Sequence, residues 1–267
     1  MGNLGDVTRR ALETLRAVPL VAAEDTRVTR RLTTGLEPAP RLVSFHARNA
    51  ARRLPELLDH LRGGADLALV TDAGTPGVSD PGAELVMAWA AEGGRVVPVP
   101  GPSAVTAAVS ATGIAGPRWV FEGFLPRRGR IRRERIAAMA SDERGVVIFE
   151  SPDRLVAMLG DLAAACGGDR PAAVCRELTK IHEEIVVASL GELAQRAMDG
   201  RIVARGEIVV VLGATSAPSR SPSEAADELA AARADVDRLV AGGLARGKAA
   251  RRVSRSTGLS RRRLYRA

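Results

Sequence analysis

Two periodicities alternate along the first 212 residues: short continuous apolar runs, and longer stretches whose apolar positions recur every three to four residues. The first kind reads as buried strands, the second as amphipathic helices. Asp6 is placed to cap a helix running to about Val18, with Val7, Ala11, Leu12 and Leu15 on one face. A strand over Leu20–Ala23, a short helix over 26–32 and a strand over 41–45 follow. A helix over 50–61 ends at Gly63-Gly64. A strand over 67–71 opens into a Gly/Pro-rich loop, 72–82. The helix over Ala83–Ala91 stops at Gly93-Gly94, and 96–99 is the next strand. After Pro100-Gly101-Pro102, Ser103 is expected to cap a helix to about Ala111.

Residues 113–117 read as a linker. Beyond it, strands are predicted near 119–122, 146–150, 172–176, 184–188 and 207–212, with helices near 132–140, 151–165 and 190–197. Alternating strands and helices predict an α/β fold with parallel strands covered by helices. Such sheets bind ligands beyond the carboxyl ends of their strands. Three loops fall there: 24–27, 72–82 and 100–103. The Ser/Pro-rich stretch 217–222 closes this part. In the tail, a helix over 235–244, an amphipathic segment at 249–253, a turn at 256–260 with Ser260 as cap and a basic helix from Arg261 predict a helix-turn-helix-like unit. The expected organisation is therefore an α/β domain over 1–113, a second over 118–215 and a basic helical tail over 223–267.

Charge sharpens this picture more than bulk composition does. The net charge is +8, but residues 238–267 hold ten basic residues and no acid. Residues 127–135 add six arginines, among them Arg127, Arg128, Arg130 and Arg132, against Glu134. Two concentrated basic elements on a mildly acidic body point to a polyanionic partner. Aromatic residues are 3% of the chain, which disfavours recognition by base stacking on a sheet. No run approaches the ~20 apolar residues of a membrane span and no signal peptide is visible, so a cytoplasmic setting without a membrane partner is expected. Cys166 and Cys175 are expected to be free thiols, and the three histidines lack metal-ligand spacing, so no metal is predicted.

The loop 72–82 reads Asp-Ala-Gly-Thr-Pro-Gly-Val-Ser-Asp-Pro-Gly. It is neither a dinucleotide fingerprint nor a P-loop. Glycines that let the backbone approach closely and prolines that stiffen it, with no cationic side chain, suit a small polar ligand that is not a triphosphate. The loop is also longer than a plain strand-to-helix connection. Pro100-Gly101-Pro102-Ser103-Ala104 likewise leaves space at a helix start.

With these loops, six further segments occur in one order: Gly2–Asp6, Ala23–Arg27, Phe121–Arg127, Phe149–Pro152, Arg176–Glu184 and Arg205–Glu207. Together they resemble the tetrapyrrole methylase superfamily of S-adenosylmethionine-dependent enzymes, and within it the branch that methylates small-subunit ribosomal RNA. The resemblance implies two α/β domains with S-adenosylmethionine in the cleft between them, and a homodimer. It implies 16S ribosomal RNA or the 30S subunit as partner, and methylation of a cytidine ribose 2′-hydroxyl in the decoding region. By position, the cofactor falls to Asp72, Ala73, Gly74, Thr75, Val78, Ser103 and Ala104, with Glu150 and Leu178 from the second domain. Members of the family begin with a strand that runs into the turn matched by Gly2–Asp6. This chain starts inside that turn, so the first strand is expected to be missing.

Lys180 stands out because the chain has 37 arginines and only two lysines. A desolvated lysine can act as a base where arginine cannot. Lys180 is thus a candidate for assisting at the acceptor hydroxyl or for binding its phosphate, unless it is an ordinary surface lysine. Glu24, Asp25 and Arg27 are candidates for positioning RNA or balancing the sulfonium charge, and Asp25 equally for a helix cap. Arg27, Arg127, Arg128, Arg130, Arg132, Arg261 and Arg262 are candidate phosphate contacts. Two other classes fit the cleft loops: a methyltransferase of this fold acting on a tetrapyrrole or another small acceptor, and a DNA-binding regulator with a ligand-sensing body. The basic elements argue against the first.

Overall fold

The computed structural model describes residues 2–215, 222–257 and 260–265, without the side chains of 222–228, 255 and 262. Residues 1–215 form one compact unit and 216–267 another.

In the first unit, β1 (Leu20–Ala23) lies between β2 (Arg41–Ser44) and β3 (Leu67–Val70), all parallel, with Leu20 opposite both Arg41 and Leu67. All four β1 residues are buried, as a central parallel strand with both faces covered requires. One face carries Leu20, Ala22, Val43, Phe45, Leu57 and Leu85, the last three positions reached from α3 (Ala50–Arg62) and α4 (Ala83–Ala91) as well as the end of β2. The other carries Val21 with Leu15, Val18 and Leu36, around α1 (Arg9–Ala17) and α2 (Thr26–Thr33).

Three local expectations are corrected. The cap of α1 is Thr8, whose hydroxyl accepts from Ala11 N; Asp6 sits in a preceding 3-10 turn, Leu4–Asp6, and its carboxylate accepts instead from Thr179 Oγ1 at 2.6 Å. Residues 96–99 are not a strand. A strand needs a hydrogen-bonded neighbour; none of the described residues pairs with this run, Pro98 lacks an N–H, and Val96 and Val97 are exposed. The carbonyls of Pro98 and Pro100 accept instead from Arg10 and Thr8 side chains. Ser103 occupies the N-cap position of α5 (Ala104–Thr112) without a side-chain capping bond.

The second sheet runs β4 (Trp119–Phe124), β5 (Gly145–Glu150), β8 (Ile208–Leu212), β6 (Pro171–Arg176), β7 (Glu184–Ser189). Only β4 and β5 are parallel; β8 lies antiparallel between β5 and β6. One face packs on α6 (Arg130–Ser141), α7 (Leu155–Cys166) and α8 (Leu190–Met198) through Ile148, Leu155, Met158, Leu159, Leu190 and Leu193. On the other face, Val105 and Ala108 of α5 pack against Val147, Ala173, Cys175, Val209 and Val211. The helix that ends the first half of the unit therefore serves the second sheet's core. Burial pushes the Cys175 thiol up to about 12; it is a packing residue, and Cys166 is also free.

The second unit holds α9 (Pro222–Ala241), α10 (Arg246–Thr257) and α11 (Arg261–Tyr265) around Ala232, Val236, Ala249, Ala250, Val253 and Leu264. The helix expected over 235–244 is the end of the longer α9. The expected turn residues Gly258 and Leu259 lie outside the described residues, as does the Ser/Pro stretch from 217 to 221. Among the described residues no helix is long and apolar enough to cross a membrane.

Candidate active site

A cavity of about 340 Å³ opens where the loop after β3, the start of α5 and the ends of β4, β5 and β8 converge. The loop contributes Ala73, Gly74, Thr75, Val78, Ser79 and Asp80; α5 contributes Ser103, Ala104 and Val105; the second sheet contributes Phe124, Phe149, Glu150, Gly206, Glu207, Ile208 and Val209. The loop's path depends on its glycines. Gly74 has φ +152°, and a Cβ there would stand 2.9 Å from Asp80 Oδ2; Gly82 has φ +130°, and a Cβ would meet Leu69 at 2.5 Å. Ser79 itself adopts φ +64°, a strained choice of the kind found at binding loops.

Two carboxylates fasten this loop to the end of β1. Glu24 Oε2 accepts from Asp72 N at 3.2 Å, and Asp72 Oδ1 accepts from Asp25 N at 3.0 Å. Asp25 caps α2 by accepting from Arg27 N and also binds the Arg27 side chain; that guanidinium holds the Asp25 carboxyl down to about 2. Burial pushes Asp72 up from the usual carboxylate range, against the Asp25 N–H that draws it down. Asp80 is pushed up to about 6, first by burial and then by the Glu24 charge.

Glu150 is the most enclosed carboxylate of the cavity. Its side chain is fully buried; Oε1 accepts from Ser151 N at 2.8 Å, and Arg154 lies 3.1 Å from Oε2, an oxygen left without a hydrogen bond. Beside the cavity, Lys180 Nζ lies 2.8 Å from Glu177 Oε1 and 3.1 Å from Glu207 Oε1. Partial burial draws the lysine's pKa down, but the bonds to Glu177 and Glu207 outweigh it and hold the ammonium above its ordinary range. Gly206, at φ +83°, makes this triad possible, since a Cβ would stand 2.6 Å from the Glu177 side chain. The same loop receives the start of the chain: Asn3 Nδ2 donates to Thr179 O at 2.7 Å. The cavity's volume, its close-approach glycines and the unsatisfied Glu150 Oε2 all fit a compact polar organic ligand.

The sequence profile of the tetrapyrrole (corrin/porphyrin) methylases matches residues 1–194. The chain belongs to the tetrapyrrole methylase family. Relatives named ribosomal RNA small subunit methyltransferase I include one from Synechocystis, 42% identical over 266 residues, covering 99% of this chain and 93% of that protein. Another, from Mycobacterium tuberculosis, is 44% identical over 246 residues, covering 91% and 82%. Among solved structures, a cobalt precorrin-4 methyltransferase superposes with a TM-score of 0.61 at 20% identity, covering 79% of this chain and 90% of the other. Uroporphyrin-III C-methyltransferase from Thermus thermophilus, complexed with S-adenosyl homocysteine, superposes with a TM-score of 0.54 at 20% identity, covering 79% and 92%.

Within this tetrapyrrole methylase, the motif residues do not all meet. Ala73, Gly74, Thr75, Val78, Ser103, Ala104 and Glu150 line the cavity. Asp72 is turned to the Asp25 amide, and Leu178 is buried in the core beneath α5. Glu24, Asp25 and Lys180 are outside the lining, although Lys180 grips Glu207, which is part of it. Sequence reasoning missed Ser79, Asp80, Phe124, Phe149 and Glu207. All five lie inside segments that carry the resemblance, so the motifs were the available signal; that Phe124, Phe149 and Glu207 meet the loop at one cavity follows only from strand pairing.

The arginine run divides in two. Arg127, Arg128, Arg130 and Arg133 are exposed, with Arg130 paired to Glu134. Arg132, a candidate phosphate contact, is buried: its guanidinium binds Asp161 at 2.7 Å and the Pro126 carbonyl, because its place on α6 faces α7. Arg135 is held by Glu122 and the Phe124 carbonyl. In the second unit Arg251, Arg252, Arg261 and Arg263 are exposed; the Arg262 side chain lies outside the described residues. No group of three potential metal ligands occurs among the described residues.

Proposed function

We propose that this protein is an S-adenosylmethionine-dependent methyltransferase of small-subunit ribosomal RNA that modifies the ribose 2′-hydroxyl of a cytidine in the decoding region of 16S RNA. The observation that carries the reading is the identity of 42–44% to ribosomal RNA small subunit methyltransferase I proteins over nearly the whole chain, together with a cavity built by the motifs themselves. Ala73, Gly74, Thr75, Val78, Ser103, Ala104 and Glu150 would hold the cofactor, which supplies a methyl group activated on a sulfonium.

The chain's own residues then have separable tasks. Glu24 and Asp25 act through the backbone amides they receive or cap, fixing the ends of β1 and β3 so that the loop stays in one conformation. Glu150, fully buried at the cavity wall and paired with Arg154, holds the Ser151 amide that also lines the cavity. Lys180, held charged by two carboxylates, suits the phosphate of the acceptor nucleotide better than proton abstraction. Arg27, Arg127, Arg128 and Arg130, with Arg261 and Arg262 of the tail, are proposed to meet RNA phosphates. The homodimer implied by the resemblance is retained as part of the proposal; light scattering in solution tests it.

The activity test is transfer from methyl-labelled S-adenosylmethionine to purified 30S subunits, with free 16S RNA and a tetrapyrrole as parallel acceptors. Label entering the subunit or its RNA is the expected outcome. Label entering the tetrapyrrole alone would assign the protein to small-acceptor methylation, and donor binding without transfer to any acceptor would favour a ligand-sensing regulator.

A further inference from the structure

We propose that Asp80 is the countercharge for the sulfonium of the methyl donor, so that the cavity holds the charged donor more tightly than the neutral thioether left after transfer. The inference rests on the cofactor reading above and assigns one residue within it.

The cavity is lined by three carboxylates, Asp80, Glu150 and Glu207, and by no lysine or arginine. Two of the three have a cation at hand: Arg154 lies 3.1 Å from Glu150, and Lys180 lies 3.1 Å from Glu207. No described lysine or arginine forms an ion pair with Asp80. The loop is shaped around this carboxylate. The backbone turns through the positive φ of Ser79 immediately before it, and Gly74 faces it so closely that a Cβ would stand 2.9 Å from Oδ2. Gly123 of β4 lies against the same corner, where a Cβ would come within 3.1 Å of Ser79 Oγ.

A carboxylate in a partly desolvated wall that no described lysine or arginine pairs with is costly to ionise, and a cationic ligand would offset that cost. Burial first, then the Glu24 charge and, less, the Asp72 charge raise Asp80 to about 6 against the Thr71 hydroxyl. A cationic ligand beside Asp80 reverses the balance and favours the ionised form. The donor and its demethylated product share the nucleoside, the amino group and the carboxylate, and differ only at sulfur, which carries a methyl group and a positive charge in the donor and neither in the product. A residue that reads the sulfur charge therefore separates the two ligands, whereas one that reads the amino group does not.

The test is isothermal calorimetry of S-adenosylmethionine and S-adenosylhomocysteine with the wild-type protein and Asp80→Asn. The variant is expected to weaken the donor about tenfold, the effect of one charge pair, while leaving the product within about twofold. The wild type supplies a second readout that needs no variant. Its donor affinity should fall as the pH drops below about 6 and Asp80 takes up its proton, with protons released on donor binding near that pH; its affinity for the product should stay flat. Equal losses for both ligands in Asp80→Asn, or parallel pH curves in the wild type, would overturn the assignment. If the wild type binds neither ligand, it is the cofactor reading that fails.

Discussion

At the scale of single residues, the site depends on positions where a side chain is absent as much as on those where one is present. Gly206→Ala forces a Cβ against Glu177 at a φ that only glycine adopts easily. It is expected to lower stability by about 1–3 kcal/mol, as a strained backbone position does, and to loosen the Lys180 triad; thermal unfolding and methyl transfer measure the two effects. Lys180→Arg keeps the cation between Glu177 and Glu207 and should retain most of the turnover, while Lys180→Met should lose it. Abolished turnover in Lys180→Arg would instead support proton abstraction by the lysine. The loop 72–82 was legible because glycine and proline declare their backbone geometry in the sequence. The partners of Lys180 were not, since Glu207 reaches it only through the pairing of β8 with β6. Asp80 stood in plain view within the motif, but that no described lysine or arginine pairs with it is a property of the folded wall.

At the scale of elements, the same arginine run carries two kinds of residue. The exposed set Arg127, Arg128, Arg130 and Arg133, changed to Gln, should reduce the salt slope of RNA affinity by roughly 0.7–0.9 for each phosphate no longer neutralised. Arg132→Gln should leave that slope unchanged and lower the melting temperature, because it breaks the link between α6 and Asp161 of α7. Filter binding across a salt series and a melting curve separate them. Charge counting could not make this division, since it depends on which way each arginine faces on α6. The strands of the first sheet were legible as continuous apolar runs because parallel strands are buried on both faces. Residues 96–99 carry the same pattern and are not a strand, since composition favours extension but only a neighbour completes a ladder.

At the scale of the whole molecule, every cavity-lining residue belongs to the unit formed by residues 1–215, while ten of the basic residues lie at 238–267. Donor binding and RNA attachment should therefore be separable. A chain ending at Thr215 is expected to bind S-adenosylmethionine within about twofold of the full chain, and to bind 30S subunits at least about tenfold more weakly, because it neutralises several fewer phosphates. Calorimetry and filter binding check the two parts. The division into a nearly neutral body and a basic tail was readable from charge alone; the packing of α5 on the second sheet was not, because its apolar face carries no label for the sheet it will cover.

The proposed chemistry is tested most directly by identifying the product nucleoside. After 30S subunits are incubated with the protein and methyl-labelled S-adenosylmethionine, the 16S RNA is digested to nucleosides and the label followed by mass spectrometry. Label in 2′-O-methylcytidine from the decoding region is the predicted result. Label on a base, or in a small acceptor with none in the RNA, would contradict it.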